Sequence, residues 1–303
     1  MRSTAAPDWF HKAIAAPREE RFVEVAGARI HYLRWGSPGR PGLLFVHGGA
    51  AHAHWWTWIA PRFAEQYTVA ALDLSGHGDS DRREPYDASL WGDEILAVAR
   101  DSEMDGPPVL VAHSMGGFIA LALASRASDA LGGVVILDSP VRKPDPEEVE
   151  GTSGSSFRNP KTYPDTATAI AKFRTVPDQP SSEPWILEYV ARHSLRRVAD
   201  GWTWKFDPRV FANLQSRRRP EILRGITCRV ALFRAENGLV TKDIGAFMYE
   251  QLGRVAPVIE VPEAYHHIML DQPLALVTGL SALLADWQHS TPRARRTRDA
   301  ERG

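Results

Sequence analysis

A serine, an adjacent pair of histidines and a pair of glycines, each closing a β-like run, are the residues best placed to do chemistry in this chain. Val109-Leu110-Val111-Ala112 runs into His113-Ser114-Met115-Gly116-Gly117 and then into the apolar stretch Phe118–Ala124. A strand, a turn of small residues centred on one serine and a helix are the parts of a nucleophile elbow. The serine takes a strained backbone, its hydroxyl stands clear, and small neighbours leave room for the turn. Ala112 fills the place of the first glycine in the G-x-S-x-G pattern. A serine just ahead of a helix also serves as an N-cap, which is the simpler role for Ser114. Upstream, His47-Gly48-Gly49-Ala50 leaves another apolar run. Its glycines let the N–H of Gly49 turn toward a bound oxygen, and with the N–H of Met115 at a helix start it would form an oxyanion hole. A general base is offered late in the chain, where Ile259–Tyr265 leads into His266-His267. Either imidazole of that pair is placed to fold back over the elbow.

The elements that must position these residues follow from the alternation of β-rich and helical patterns, which predicts parallel strands joined by crossover helices. Strands are expected at Phe22–Val25, Arg29–Trp35, Gly42–His47, Tyr67–Leu74, Pro108–His113, Gly133–Leu137, Cys228–Arg234 and Pro257–Val261. Leu43–Val46 and Val134–Leu137 are unbroken apolar runs, as strands buried on both faces require. Helices are expected at Trp55–Gln66, Ser89–Glu103, Gly116–Ser128, Thr241–Leu252 and Pro273–Gln288. Between residues 141 and 224 the rhythm breaks into Pro-, Gly- and Ser-rich sequence followed by Trp185, Trp202 and Trp204. An excursion of about eighty residues is too long for a plain loop and should carry its own structure. The expected organisation is a core of residues 1–140 and 225–290, a mostly helical inserted cap at 141–224 with a mobile Gly/Ser-rich start, and a disordered basic tail at 291–303, where five arginines stand without apolar periodicity.

With 36 basic and 37 acidic residues, the chain has no field to steer it toward nucleic acid. No run reaches the roughly 18 apolar residues of a membrane span, and Met1–Phe10 has no apolar stretch like that of a secretory leader. The expectation is an intracellular, cytoplasmic protein that engages neither nucleic acid nor membrane, with no feature that sets its oligomeric state. The single cysteine, Cys228, excludes an internal disulfide and reads as a small buried hydrophobe. His47, His52 and His54 have no carboxylate or cysteine beside them, so packing and hydrogen bonding are expected of them and no metal site.

At these residues the chain resembles the α/β-hydrolase superfamily over most of 20–290, through His47-Gly48-Gly49, the Asp73–Ser80 turn (D-x-x-G-x-G-x-S), the Ser114 elbow and His266 through Pro273. The resemblance implies an α/β fold: a mostly parallel eight-stranded sheet with helices on both faces and a helical cap. It implies a structural role for Asp73 and His77. In the family pattern the catalytic histidine precedes a proline by seven residues, which selects His266, although Tyr265 stands where many relatives have glycine. Most relatives place the acid after the seventh strand, where this chain has Glu236 and Asn237; some, including haloalkane dehalogenases and certain lactone hydrolases, place it after the sixth, where Asp138 stands. An amide cannot offset the imidazolium charge. A carboxylate closing an apolar run is costly without a partner, which puts Asp138 ahead of Glu236.

The resemblance implies a cofactor-free serine hydrolase, esterase- or lactonase-like, that cleaves a small to medium acyl substrate through an acyl-enzyme. Acyl transfer, perhydrolysis or C–C bond hydrolysis on the same residues is the enzymatic alternative, and a ligand receptor of this fold is the non-enzymatic one. Trp185, Trp202 and Trp204 are candidates to line an apolar substrate pocket, while packing the cap onto the sheet is the simpler role expected of most of them. An apolar substrate is expected, while Arg174, Arg192, Arg196 and Arg197 in the insertion leave a charged one open.

Overall fold

A computed structural model of the chain describes residues 5–142, 157, 160–180, 183–211 and 220–290. The Gly/Ser-rich segment at 151–156 and the arginine-rich end, 291–303, lie outside the described residues. Among the described residues ten strands are formed: β1 (Glu19–Val25), β2 (Ala28–Trp35), β3 (Pro41–Val46), β4 (Thr68–Leu72), β5 (Asp105–His113), β6 (Gly133–Leu137), β7 (Leu195–Val198), β8 (Gly201–Trp204), β9 (Val230–Asn237) and β10 (Val258–Tyr265). All but β7 and β8 join one eight-stranded sheet in the order β1-β2-β4-β3-β5-β6-β9-β10. The β1–β2 and β2–β4 pairs are antiparallel, and every pair from β4 to β10 is parallel.

Side chains alternate across the sheet and divide the core in two. Leu44, Val46, Leu110 and Ile136 meet helices α2 (Ala88–Asp101), α3 (Met115–Ala127) and α6 (Lys242–Gln251) on one face. Leu43, Phe45, Val111 and Val135 meet α1 (Asp8–Ile14) and α8 (Pro273–His289) on the other. Leu276, Leu280 and Leu284 of α8 recur every four residues, which puts one apolar stripe on the sheet. The α2 helix starts cleanly because Asp87 accepts the N–H groups of Ser89 (2.6 Å) and Leu90 (3.2 Å).

Two expectations are corrected. The helix foreseen at Trp55–Gln66 is instead a pair of 3-10 turns, Ala53–Trp56 and Ala60–Phe63. Residues 55–60 are buried throughout and leave that half no polar face for solvent, and Pro61 lacks the N–H a continuous helix would need. The strand expected from Cys228 begins at Val230, leaving Cys228 half-buried ahead of it.

Between β6 and β9 the described chain forms α4 (Thr166–Ala171), α5 (Pro184–His193), 3-10 turns at Pro208–Phe211 and Pro220–Gly225, and the antiparallel hairpin β7–β8, so it is mainly helical with one hairpin that was not expected. Alternation in Trp202-Thr203-Trp204, opened by Gly201 at φ +135°, favours a strand. Ile186 and Val190 bury α5 against the α1–α8 face. The turn after β4 anchors the segment: the Gly78 N–H donates to the Lys205 carbonyl (2.8 Å) and the Asp207 N–H to that of Gly76 (2.7 Å). Gly78 sits so close to Asp73 that an added Cβ would lie 2.1 Å from its carboxylate, which explains the glycine. Two short elements close the chain's path to the site: α7 (Ile268–Asp271), and the His266-His267 pair between β10 and α7.

Candidate active site

Ser114 sits between β5 and α3 at φ 51° and ψ −118°, a left-handed conformation costly for a residue with a side chain. Neighbouring backbone fixes it there. Its N–H donates to the Leu137 carbonyl (3.1 Å), and its own carbonyl accepts the Gly117 N–H (3.0 Å). Small residues are obligatory around it: a Cβ on Gly116 would stand 2.4 Å from the His47 carbonyl oxygen, and one on Gly117 2.0 Å from Ser139 Oγ. The hydroxyl of Ser114 reaches His266 Nε2 at 3.0 Å.

His266 is buried, and its Nδ1 lies 2.8 Å from Asp138 Oδ2. The imidazole thus donates from Nδ1 to the carboxylate and presents Nε2 as an acceptor to the hydroxyl. Asp138, at φ 45° just past β6, is fully buried. It also accepts N–H bonds from Leu239 (2.7 Å) and Val240 (3.0 Å). Burial alone would raise its carboxyl. The hydrogen bond and charge of His266, together with those two N–H groups, outweigh burial and hold it below the usual carboxylate range. Glu236 is elsewhere: it is exposed and accepts the Glu263 N–H (2.8 Å). Of the two candidate acids, Asp138 meets the histidine and Glu236 does not.

Gly48 presses the turn after β3 against the serine; a Cβ there would lie 3.1 Å from that of Ser114. Gly49, Met115, Ser114 and His266 line one cavity of about 220 Å³, with Phe118, Phe157, Phe211 and Leu239 as apolar walls. Among the described residues no protein acceptor meets the N–H of Gly49 or of Met115.

His113, which sequence reasoning left without a role, is buried and donates from Nε2 to the main-chain carbonyl of His266 (2.9 Å). Burial, then the charge of His266, push its pKa down to about 3, so the ring is neutral. His267 is buried as well, its ring set beside the backbone of Val176 and Pro177. Burial holds it well below the ordinary histidine range. Its N–H donates to Gln179 Oε1 (3.0 Å), while Gln179 Nε2 donates to Asp271 Oδ1 (2.6 Å), tying the inserted segment to the histidine loop. Ring nitrogens of His113, His266 and His267 lie within 4.8 Å of one another, but Asp138, Ser114 and a backbone carbonyl already engage His266 and His113. His47 bonds the backbone of Gly48 and Leu74, and His52 bonds Ser194 Oγ (2.8 Å), so neither is arranged as a ligand set with His54.

The three tryptophans proposed as pocket residues separate. Trp204 lines a second cavity of about 280 Å³, which shares Gly49, Phe157, Val176 and His267 with the first. Trp185 lines neither, its ring lying 4.5 Å from Phe10 and 5.6 Å from Trp9, where it packs α5 onto α1. Trp202 also lines neither and lies under the Arg197 guanidinium.

Residues 43–279 match the Alpha/beta hydrolase family, and the chain belongs to it. An esterase of Mycobacterium tuberculosis is 27% identical over 277 residues, 88% of this chain and 89% of that protein. The lipase LipV of the same organism is 37% identical over 114 residues, 37% of this chain and 42% of that one. Among solved structures, an E-2-(acetamidomethylene)succinate hydrolase superposes with a TM-score of 0.76 at 22% identity, over 89% of this chain and 100% of that one, a likeness of fold. The protein is thus a hydrolase of the α/β-hydrolase fold. No helix among its described residues is long and apolar enough to cross a membrane.

Proposed function

We propose that the protein is a serine hydrolase that cleaves a carboxylic ester or lactone through an acyl-enzyme. The observation that carries this reading is the continuous hydrogen-bonded line from the half-buried Ser114 Oγ through His266 (3.0 Å) to the fully buried Asp138 (2.8 Å).

In the first half-reaction Ser114 Oγ attacks the carbonyl carbon while its proton passes to His266 Nε2. Asp138 keeps the Nδ1–H tautomer and offsets the imidazolium charge. The N–H groups of Gly49 and Met115 receive the oxyanion. Collapse breaks the bond to the alkoxide, which takes the proton from His266 and leaves as an alcohol, or remains tethered when the substrate is a lactone. Water then attacks the acyl-enzyme, giving its proton to His266, and Ser114 regains a proton as the acid departs. The inserted segment acts as a cap, since Phe157, Val176 and Phe211 wall the cavity beside the serine and exclude water from it.

A fluorophosphonate probe tests the reading. It should add covalently to the wild-type protein and not to the Ser114→Ala variant, read by intact mass. A folded wild-type protein that never labels would refute an activated serine.

A further inference from the structure

We propose that the substrate carries an anionic group, a carboxylate or a phosphate, remote from the scissile bond, and that Lys161, Lys172 and Arg174 at the second cavity receive it. This rests on the acyl-enzyme reading and specifies its substrate class.

The second cavity adjoins the catalytic one, with Gly49, Phe157, Val176 and His267 lining both, and the proposal places one ligand across the two. Its wall is apolar, with Trp55, Phe157, Phe173, Trp204 and Phe206. Among the described lining residues the charged groups are of one sign: Lys161, Lys172, Arg174 and Lys205, with no aspartate or glutamate beside them. The whole chain is balanced at 36 basic and 37 acidic residues, so this excess is local to the cavity. Lys205 is spoken for by Asp79 (2.5 Å). The other three have no carboxylate partner among the described residues, and all three side chains reach solvent. Arg174 is oriented without being neutralised: Nη1 donates to the carbonyls of Phe173 (2.6 Å) and Ala171 (3.3 Å).

An apolar cavity lined by unpaired cations suits a carbon chain with a terminal anion, because the chain displaces water from the aromatic wall while the charge stays half-solvated beside opposite charges. Both cavities are lined by His267, which is buried beside the backbone of Val176 and Pro177. Exposed cations are screened by salt, so the preference they create should weaken as ionic strength rises.

The test compares kcat/KM for methyl hexanoate, monomethyl adipate and methyl 6-phosphonooxyhexanoate, with chain lengths of four to ten carbons in each series. An ω-anionic ester should be favoured at least about ten-fold over its neutral counterpart at low salt, mainly through KM, and the better of the two anionic series identifies the group. In Lys161→Glu/Lys172→Glu, KM for the anionic esters should rise at least ten-fold more than KM for the neutral ones. A readout without turnover is the rate of fluorophosphonate labelling, which free dicarboxylates should slow in the wild type more than the matching diols do. Equal treatment of neutral and anionic ligands in both assays, or equal effects of the double variant on both, overturns the proposal. Absence of labelling would instead strike the serine-hydrolase reading; anion binding is then read by calorimetry with adipate, where no heat in the wild type overturns the proposal.

Discussion

His113, the residue immediately before Ser114, donates its Nε2–H to the main-chain carbonyl of His266, 2.9 Å away. The end of β5 therefore holds both partners of the proposed proton transfer, Ser114 through the chain and His266 through this bond. A leucine at 113 would fill similar space and leave the buried His266 carbonyl without its donor. His113→Leu should lower kcat about 10- to 100-fold with little change in KM, and cost about 1–3 kcal/mol of stability. Steady-state kinetics alongside urea unfolding checks both parts.

Asp138 and Glu236 should respond differently to loss of charge. In Asp138→Asn one oxygen becomes an NH2 group, which must face either the Val240 N–H or the imidazole Nδ1–H and Leu239 N–H. A drop in kcat of about 10³–10⁴-fold is expected, with a loss of stability. Glu236→Gln keeps an oxygen for the Glu263 N–H and should leave rates within about two-fold, since the side chain is exposed. Comparable losses in the two variants would remove Asp138 from its role.

Gly238 packs against the same carboxylate, and an added Cβ would lie 2.4 Å from Asp138 Oδ2. Gly238→Ala should push the carboxylate off its line with His266 and cut kcat by about 100-fold, leaving KM near its original value. Labelling rates with fluorophosphonate report the same loss independently of any ester.

Glu94 of α2 makes stability depend on pH. The side chain is fully buried, and burial pushes its pKa from 4.5 up to about 7 against the opposing pull of the Ser75 N–H and Arg83. Between those values the native state keeps the proton that the unfolded chain has released. Stability therefore falls as pH rises from about 4.5 to about 7, by roughly 3 kcal/mol in all. Glu94→Gln should flatten that decline, which urea midpoints at pH 5 and pH 7.5 would show.

Much of this architecture could be read from the chain because its strongest signals are local. Leu43–Val46 and Val134–Leu137 are apolar throughout and became central strands buried on both faces. Ser114 was visible because strand, small turn and helix adjoin in sequence. Asp138 stood out as a carboxylate ending an apolar run, but only the fold shows that the N–H groups of Leu239 and Val240 repay its burial. His113 and Gln179 gave no signal, since their partners are main-chain groups or side chains far along the chain. Trp185, Trp202 and Trp204 could not be told apart in the sequence: whether a tryptophan lines a cavity or packs two elements is decided by tertiary contacts.

The backbone of Ser114, at φ 51° and ψ −118°, has one further consequence. Glycine enters that region without the Cβ conflict, and relief of about 1–3 kcal/mol of strain exceeds the roughly 0.5–1 kcal/mol that glycine's extra freedom in the unfolded chain costs. Ser114→Gly should melt at a higher temperature than the wild type while doing no chemistry. Glycine is the residue folding alone would favour at this position, so the proposed chemistry is carried at the point where the backbone resists its own side chain.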